Sequence, residues 1–155
     1  MGAAGQRRGG DRGESLLEIL IAVTIMGIAL VAIVGGLVTS ILISDVHRKQ
    51  ATAGTAVRNY AEAVASTVAG GGYVPCASAT SYASPAGFTV PAGYSTSVPA
   101  GSMRYWSGGG WQASCTTDTG LQQLALQVAS NDGRASERVV IVVRKPCRLA
   151  DPLCN

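Results

Sequence analysis

Charged side chains and aromatic rings are scarce in this chain, at 14% and 5% of its 155 residues. It has one histidine, His47, and its four cysteines form no C-x-x-C pair, so we expect no zinc site. The sequence also lacks paired carboxylates, a Ser/His/Asp set in a shared context and a phosphate-binding loop. We therefore expect no enzymatic activity, no cofactor and no metal.

The net charge of +3 comes largely from the first 13 residues, which carry three arginines and one aspartate. The remaining chain has nine basic and eight acidic residues, a balance that does not make nucleic acid an obligatory partner. Nucleic-acid contact has weak support from one basic cluster, for which a solvated strand end is the favoured interpretation: Arg144, Lys145 and Arg148.

Residues 19–43 contain no charged side chain. As a helix they would extend roughly 37 Å, which exceeds the ~30 Å hydrocarbon core of a bilayer. A helix this long and uncharged is typical of a single membrane span. Gly35 and Gly36 are compatible with it, because glycine is tolerated in lipid and permits close helix contacts.

The helix is predicted to continue past the span, from about Ser15 to Ala69, and to stop at residues 70–72, which are three glycines. Beyond the span the apolar residues recur at three- and four-residue steps, which predicts one buried face. That face holds Ala53, Val57, Tyr60 or Ala61, Val64 and Val68, with Arg48, Lys49, Arg58 and Glu62 available for the other.

The C-terminal part is predicted to be loop-like over residues 73–101, where four prolines occur, and then to form strands. Residues 103–106 and 111–116 predict a hairpin around 107–110, with Tyr105, Trp106 and Trp111 in hairpin packing. Residues 124–128 and 138–144 predict two further strands, joined by a turn at 131–133. The expected fold class is α+β: a long hydrophobic helix packed on a small antiparallel β-sheet.

All four cysteines lie after the apolar run, where an extracytoplasmic location favours disulfides over free buried thiols. Four cysteines permit three pairings, and we favour Cys76–Cys115 and Cys147–Cys154, mainly because the second pair brackets a short tail. Asp118 and Asp132 are carboxylates in separate loops. We interpret them as solvated turn formers, with a calcium site as the alternative.

One motif joins the basic start to the apolar run: Arg12, Gly13, Glu14, Ser15, Leu16, Leu17 and Glu18. Residues 7–45 resemble the N-terminal signal of type IV prepilins and type II secretion pseudopilins. In that family a basic leader ends in Gly, cleavage follows, and the fifth mature residue is a Glu inside an apolar helix. Gly13 and Glu18 match those two positions, and Ser15, Leu16 and Leu17 fit the pattern between them.

The resemblance implies a cleavage site between Gly13 and Glu14, cut by a prepilin peptidase. It gives Glu18 the task of pairing with the new α-amino group of a neighbouring subunit, while Leu16 and Leu17 begin the helix that packs in the filament. The implied partners are the membrane, copies of the chain or other pilins, and a pilus or secretion assembly machinery. The implied topology is a single pass through the cytoplasmic membrane with the N-terminus in the cytoplasm, and a cell-surface filament after assembly.

The predicted organisation is a leader at residues 1–13, read as disordered, and an assembly helix at 14–44. An amphipathic continuation at 45–69 and a loop-rich β domain at 70–155 follow. Two features depart from the family: Glu14 stands where a methylated Phe is usual, and Gly35-Gly36 where many members carry Pro. Ser15 and Glu18 also fit a helix capping box. The alternative function is a membrane-anchored extracellular binding protein that does not polymerise.

Overall fold

The structure is a computed structural model that describes residues 11–147, with helix side chains described from Leu16 onward. It contains one α-helix, α1 (Asp11–Thr67), a five-residue π-helical turn (Val68–Gly72) and five β-strands. The chain divides into two units between Ser44 and Asp45. The predicted domain limits at residues 13, 44 and 69 remain predictions.

Helix α1 begins earlier than expected, because Asp11 to Gly13 are already helical. The prediction of a disordered leader was wrong for these three residues. Once a helix exists, each further residue adds one backbone hydrogen bond, so an apolar helix extends readily into a flanking segment that lacks proline. The remaining leader residues lie outside the described part of the chain.

The helix ends close to the predicted place, and one glycine explains how. Regular α-helix stops at Thr67, and the π-helical turn that follows contains Gly71 in a left-handed conformation (φ 99°). Tyr73 is then extended. A glycine that adopts positive φ at low cost is a common helix terminator.

The unit that begins at Asp45 contains all five strands. They are β1 (Tyr94–Ser97), β2 (Arg104–Trp106), β3 (Trp111–Gln112), β4 (Leu121–Ser130) and β5 (Ser136–Arg144). All pairs are antiparallel. Strand β4 pairs with β5 along nearly its whole length, so β1 and β2 share its other edge, and β3 pairs with β2.

Two strand predictions needed correction. Strand β1 lies inside the segment predicted to be loop-like, because its Ser- and Thr-rich sequence has no apolar run and it forms only by pairing with β4. Strand β3 ends at Gln112, not at Thr116. The chain turns away there towards Cys115, which is held in a disulfide.

The core of this unit lies between the helix and the sheet. Ala53, Val57, Tyr60, Val64 and Val68 are buried, which confirms the predicted helix face. They belong to one cluster with the inward residues of β4, namely Leu124, Leu126 and Val128. The rings of Tyr60 and Phe88 stack at 5.0 Å between centroids.

The outer face of the sheet is different. Along β5 the burial alternates, so that Val139, Ile141 and Val143 face the core while Val140 and Val142 are exposed. In β4 the outward positions hold half-buried Gln123 and Gln127, with the small, buried Ala125 between them. This two-residue period is the expected signature of a sheet covered on one face.

Candidate functional site

The predicted cleavage site lies within helical backbone. Gly13 and Glu14 are part of α1, although their side chains are outside the described set. A peptidase takes its substrate in extended form, so this turn of helix has to unwind before a cut. Glycine destabilises a helix interior by about 1 kcal/mol relative to alanine, which lowers the cost of unwinding at Gly13.

The predicted assembly residues are all exposed in the single chain. Leu16 and Leu17 expose 71% and 62% of their surface, and Glu18 is exposed beside them. Among residues whose side chains are described, Glu18 has no ion-pair partner. The described part of the chain therefore supplies neither a cover for these leucines nor a counter-charge for this carboxylate.

The apolar helix surface continues to Ile43 without cover. Its large hydrophobic residues expose between 48% and 75% of their surface. The helix is long and apolar enough to cross a membrane. Its two threonine hydroxyls suit that environment, because Thr24 donates to the carbonyl of Leu20 at 2.7 Å and Thr39 to that of Gly35 at 3.0 Å.

A cluster of five charged residues, which we call the ionic cluster, lies within the unit that begins at Asp45: Asp45, Arg48, Lys49, Asp132 and Arg134. Lys49 Nζ lies 2.9 Å from Asp45 Oδ2 and also pairs with Asp132, in the turn between β4 and β5. Arg48 Nη2 lies 3.2 Å from Asp45 Oδ1, and Arg134 Nη1 lies 3.6 Å from Asp45 Oδ2. The cluster fastens the β4–β5 turn to the helix.

The ion pairs of the ionic cluster shift the pKa values of its members in the directions that favour the charged forms. Hydrogen bonds to Lys49 and Arg48 lower the pKa of Asp45, and the bond to Lys49 is the main cause of the lowered pKa of Asp132. The same two carboxylates raise the pKa of Lys49. All three groups are therefore charged at neutral pH.

Asp118 is the centre of a second polar cluster, beside the Cys76–Cys115 disulfide. Its carboxylate accepts hydrogen bonds from the backbone N–H of Cys76 (2.7 Å) and of Gly120 (2.6 Å). It also accepts from the hydroxyl of Tyr73 (2.9 and 3.0 Å) and from Nε2 of Gln122 (2.9 Å). The bond from Gly120, two residues on, confirms Asp118 as a turn former, but the side chain is half-buried and holds distant donors, so the prediction that it is solvated was wrong.

Burial raises the pKa of Asp118, but these four donors outweigh it and hold the pKa below its usual value. The Tyr73 hydroxyl responds in the opposite sense, since burial and the neighbouring carboxylate raise its pKa. Tyr73 thus stays a donor and Asp118 an acceptor over the neutral range. Asp132 is exposed in the β4–β5 turn and accepts from the backbone N–H of Arg134 at 3.2 Å, which confirms the prediction of a solvated turn former, and it also belongs to the ionic cluster.

The disulfide joins Cys76 and Cys115, with their Cα atoms 5.5 Å apart, and this is one of the two favoured pairings. The sulfur atoms and a carboxylate oxygen of Asp118 lie within 4.8 Å of one another. The disulfide makes both sulfurs unavailable as thiolate ligands, so this group does not form a metal site. Cys147 is also disulfide-bonded, and its favoured partner, Cys154, lies outside the described residues.

Sequence reasoning did not single out Gln122 or Tyr73. Gln122 is fully buried, and its position had a signal: it shares the inward-facing alternation of β4 with Leu124, Leu126 and Val128. A polar residue at a core position needs partners, and Asp118, Tyr73 and the Val74 carbonyl accept from its Nε2, whereas its buried Oε1 has no partner among the described residues. No comparable signal marked Tyr73, whose partners are more than 40 residues away in the sequence.

The remaining candidates have structural roles or lie apart. Trp106 and Trp111 form an edge-to-face pair at 5.4 Å across the β2–β3 hairpin, as predicted. Tyr105 donates to the carbonyl of Ala77 at 2.6 Å. Of the basic cluster, Arg144 is exposed at the end of β5 and Arg148 lies outside the described residues.

The long apolar helix and the small antiparallel sheet make an α+β, pilin-like fold. Residues 8–34 match the protein-family model of the prokaryotic N-terminal methylation motif, the signature of type IV pilins and pseudopilins. The match includes Gly13 and Glu18, and the predicted resemblance is confirmed. A search of the curated proteins and a search of the solved structures each found no match.

Proposed function

We propose that the chain is a structural subunit of a type IV pilus or pseudopilus, cut after Gly13 by a prepilin peptidase. The observation that carries the proposal is the coincidence of two features. The methylation motif covers residues 8–34, and the helix surface that begins inside it is uncovered in the single chain. A membrane before assembly, and neighbouring helices afterwards, would each cover that surface.

Glu18 would make the contact between subunits specific. A carboxylate without a counter-ion is unfavourable in an apolar environment, by about 2.5–3.5 kcal/mol at a bilayer centre and less near the interface. Cleavage creates a positively charged α-amino group at Glu14. If that group from one subunit meets Glu18 of another, each charge removes the desolvation penalty of the other.

The Cys76–Cys115 disulfide supports an extracytoplasmic location for the β domain, because disulfides persist in oxidising compartments. The subunit would wait in the cytoplasmic membrane with its leader in the cytoplasm, and enter a surface filament later. The loop-rich stretch between Gly72 and Tyr94 supports a minor, tip-located subunit. We propose a structural function with no catalysis.

Mass analysis of the N-terminus tests processing. In cells that contain a prepilin peptidase, we expect the isolated protein to begin at Glu14. Substitution Gly13→Ala or a bulkier change should leave the leader attached. Gly27→Ala is the matched control, because a Cβ at Gly27 meets no atom within 4 Å and the position is remote from the cut. A wild-type chain that retains Met1 or Gly2 contradicts the proposal and favours the non-polymerising membrane-anchored protein.

A further inference from the structure

The ionic cluster has a second property besides fastening the β4–β5 turn: its positive charges are the outer ones. Arg48 and Arg134 expose 80% and 54% of their side chains, whereas Asp45 and Asp132 expose 27% and 41%. Lys49 exposes 26% and lies between the two carboxylates. The five residues carry a net charge of +1, and that excess is presented by two guanidinium groups.

The position of the ionic cluster in the chain determines which layer of the membrane lies beside it. Asp45 follows Ile43, the last residue of the apolar run, by two positions, and Lys49 follows six positions after Ile43. At ~1.5 Å of helix rise per residue, the cluster begins about 3 Å beyond the apolar run and extends to about 9 Å. The apolar run is longer than the hydrocarbon core is thick and fits it by tilting, so the residues just beyond the run lie at the level of the phospholipid headgroups.

The chemistry of the two arginines fits that layer. A guanidinium has five N–H donors, so the contacts of Arg48 and Arg134 with Asp45 leave donors for a further acceptor. Phosphate accepts such donors in a bidentate arrangement. Tyr94, which donates to the backbone carbonyl of Lys49 at 3.3 Å, adds an aromatic ring of the type that is enriched at membrane interfaces.

We propose that Arg48 and Arg134 form a binding surface for the phosphate of anionic phospholipid headgroups on the extracytoplasmic side of the membrane. The inference rests on the proposed membrane storage of the subunit. It adds a partner, because the β domain is then tied to the lipid surface by charge as well as by the span. Leaving the membrane for a filament requires these phosphate contacts to be released.

The full chain in nanodiscs of mixed phosphatidylglycerol and phosphatidylcholine provides the test. Native mass spectrometry measures the ratio of the two lipids that remain bound to the protein. Near an anionic surface one cation contributes about a fivefold preference, so Arg48→Gln and Arg134→Gln should each lower the ratio about fivefold. Arg134→Lys should retain most of the preference, because it keeps the charge.

Arg58→Gln is the matched control, since Arg58 is an exposed arginine on the same helix about 15 Å further from the apolar run. We expect it to leave the ratio unchanged. The leader arginines contribute equally in every variant. An unchanged ratio in the Arg48→Gln/Arg134→Gln double variant overturns the proposal, and so does an equal fall in Arg58→Gln.

A competition experiment distinguishes binding of a lipid headgroup from binding of free phosphate. Inorganic phosphate is added at constant ionic strength, and the bound phosphatidylglycerol is measured again. Unchanged binding supports a lipid surface, whereas displacement by millimolar phosphate overturns it in favour of a site for the free ion. N-terminal processing after Gly13 is read in the same samples by mass, so normal processing with no lipid preference rejects this inference alone.

Discussion

Asp118 illustrates what a single residue can do that its sequence neighbourhood does not reveal. Its position between threonines and before Gly120 is typical of an exposed turn. Besides the local bond from the Gly120 amide, however, it accepts from the Cys76 amide and the Tyr73 hydroxyl, which lie 42 and 45 positions earlier in the chain. The carboxylate therefore fastens the segment after the helix to the start of β4, beside the disulfide. Local sequence cannot show a contact whose two halves are brought together only by folding.

Substitution Asp118→Asn is expected to destabilise the β domain by about 2 kcal/mol at pH 7, because charge-assisted hydrogen bonds are lost around a buried glutamine. Since the pKa of Asp118 is lowered by folding, its contribution is fully present above the unfolded value of about 3.9. It is lost as the pH falls through the folded value. Thermal unfolding of the full chain in micelles, followed by near-UV circular dichroism, should show the difference from wild type shrinking below about pH 4.

Glu62→Gln is the control for this experiment, because Glu62 is an exposed carboxylate on the helix. It should change the unfolding temperature little at any pH. A constant difference between wild type and Asp118→Asn from pH 7 to pH 2 would show that the ionised carboxylate is not the stabilising group.

At the scale of elements, periodicity predicted the secondary structure well where burial is one-sided. The helix face from Ala53 to Val68 and the alternation in β4 were both readable, because each apolar residue returns to the same face at a fixed interval. Strand β1 was not readable. Its residues Tyr94, Ser95, Thr96 and Ser97 carry little hydrophobic signal, and their strand conformation comes from backbone pairing with β4.

A matched pair of valine substitutions tests the assignment of inner and outer faces. Val128 is fully buried in β4, while Val142 exposes 53% of its surface in β5. Val128→Ala should lower the free energy of unfolding by about 2 kcal/mol, through lost burial and a residual cavity. Val142→Ala should change it by less than about 0.5 kcal/mol. Chemical unfolding of the full chain measures both, and equal effects would contradict the assigned faces.

At the scale of the whole molecule, the two units require different surroundings. The unit that begins at Asp45 has its own core, whereas the apolar helix before it depends on something outside the chain. The uncharged run alone predicted that one segment needs an apolar environment and that a separate folded domain follows it. The sequence does not show whether lipid or a neighbouring helix covers the apolar surface, because both present similar apolar chemistry.

Substitution Glu18→Gln tests the assembly part of the proposed function. The variant should still insert into the membrane, because loss of a charge makes insertion easier. It should enter filaments poorly, because the α-amino group of the neighbour would be left without a counter-charge, which costs about 3–5 kcal/mol for a buried pair. Immunoblots of sheared filament fractions against membrane fractions report the ratio, with Glu62→Gln as control. Filament incorporation equal to wild type would rule out this role for Glu18.

Strand β4 pairs with three other strands, and this fixes the order in which the strands can pair during synthesis. It lies in the last quarter of the chain, while β1 and β2 precede it and β5 follows it. During synthesis from the N-terminus, β1 and β2 therefore have no partner strand until residue 130 has been made. A chain that stops before this point leaves the backbone hydrogen-bonding groups of both strands unpaired. Completion of β4 supplies their partner, and β5 then covers the remaining edge of β4.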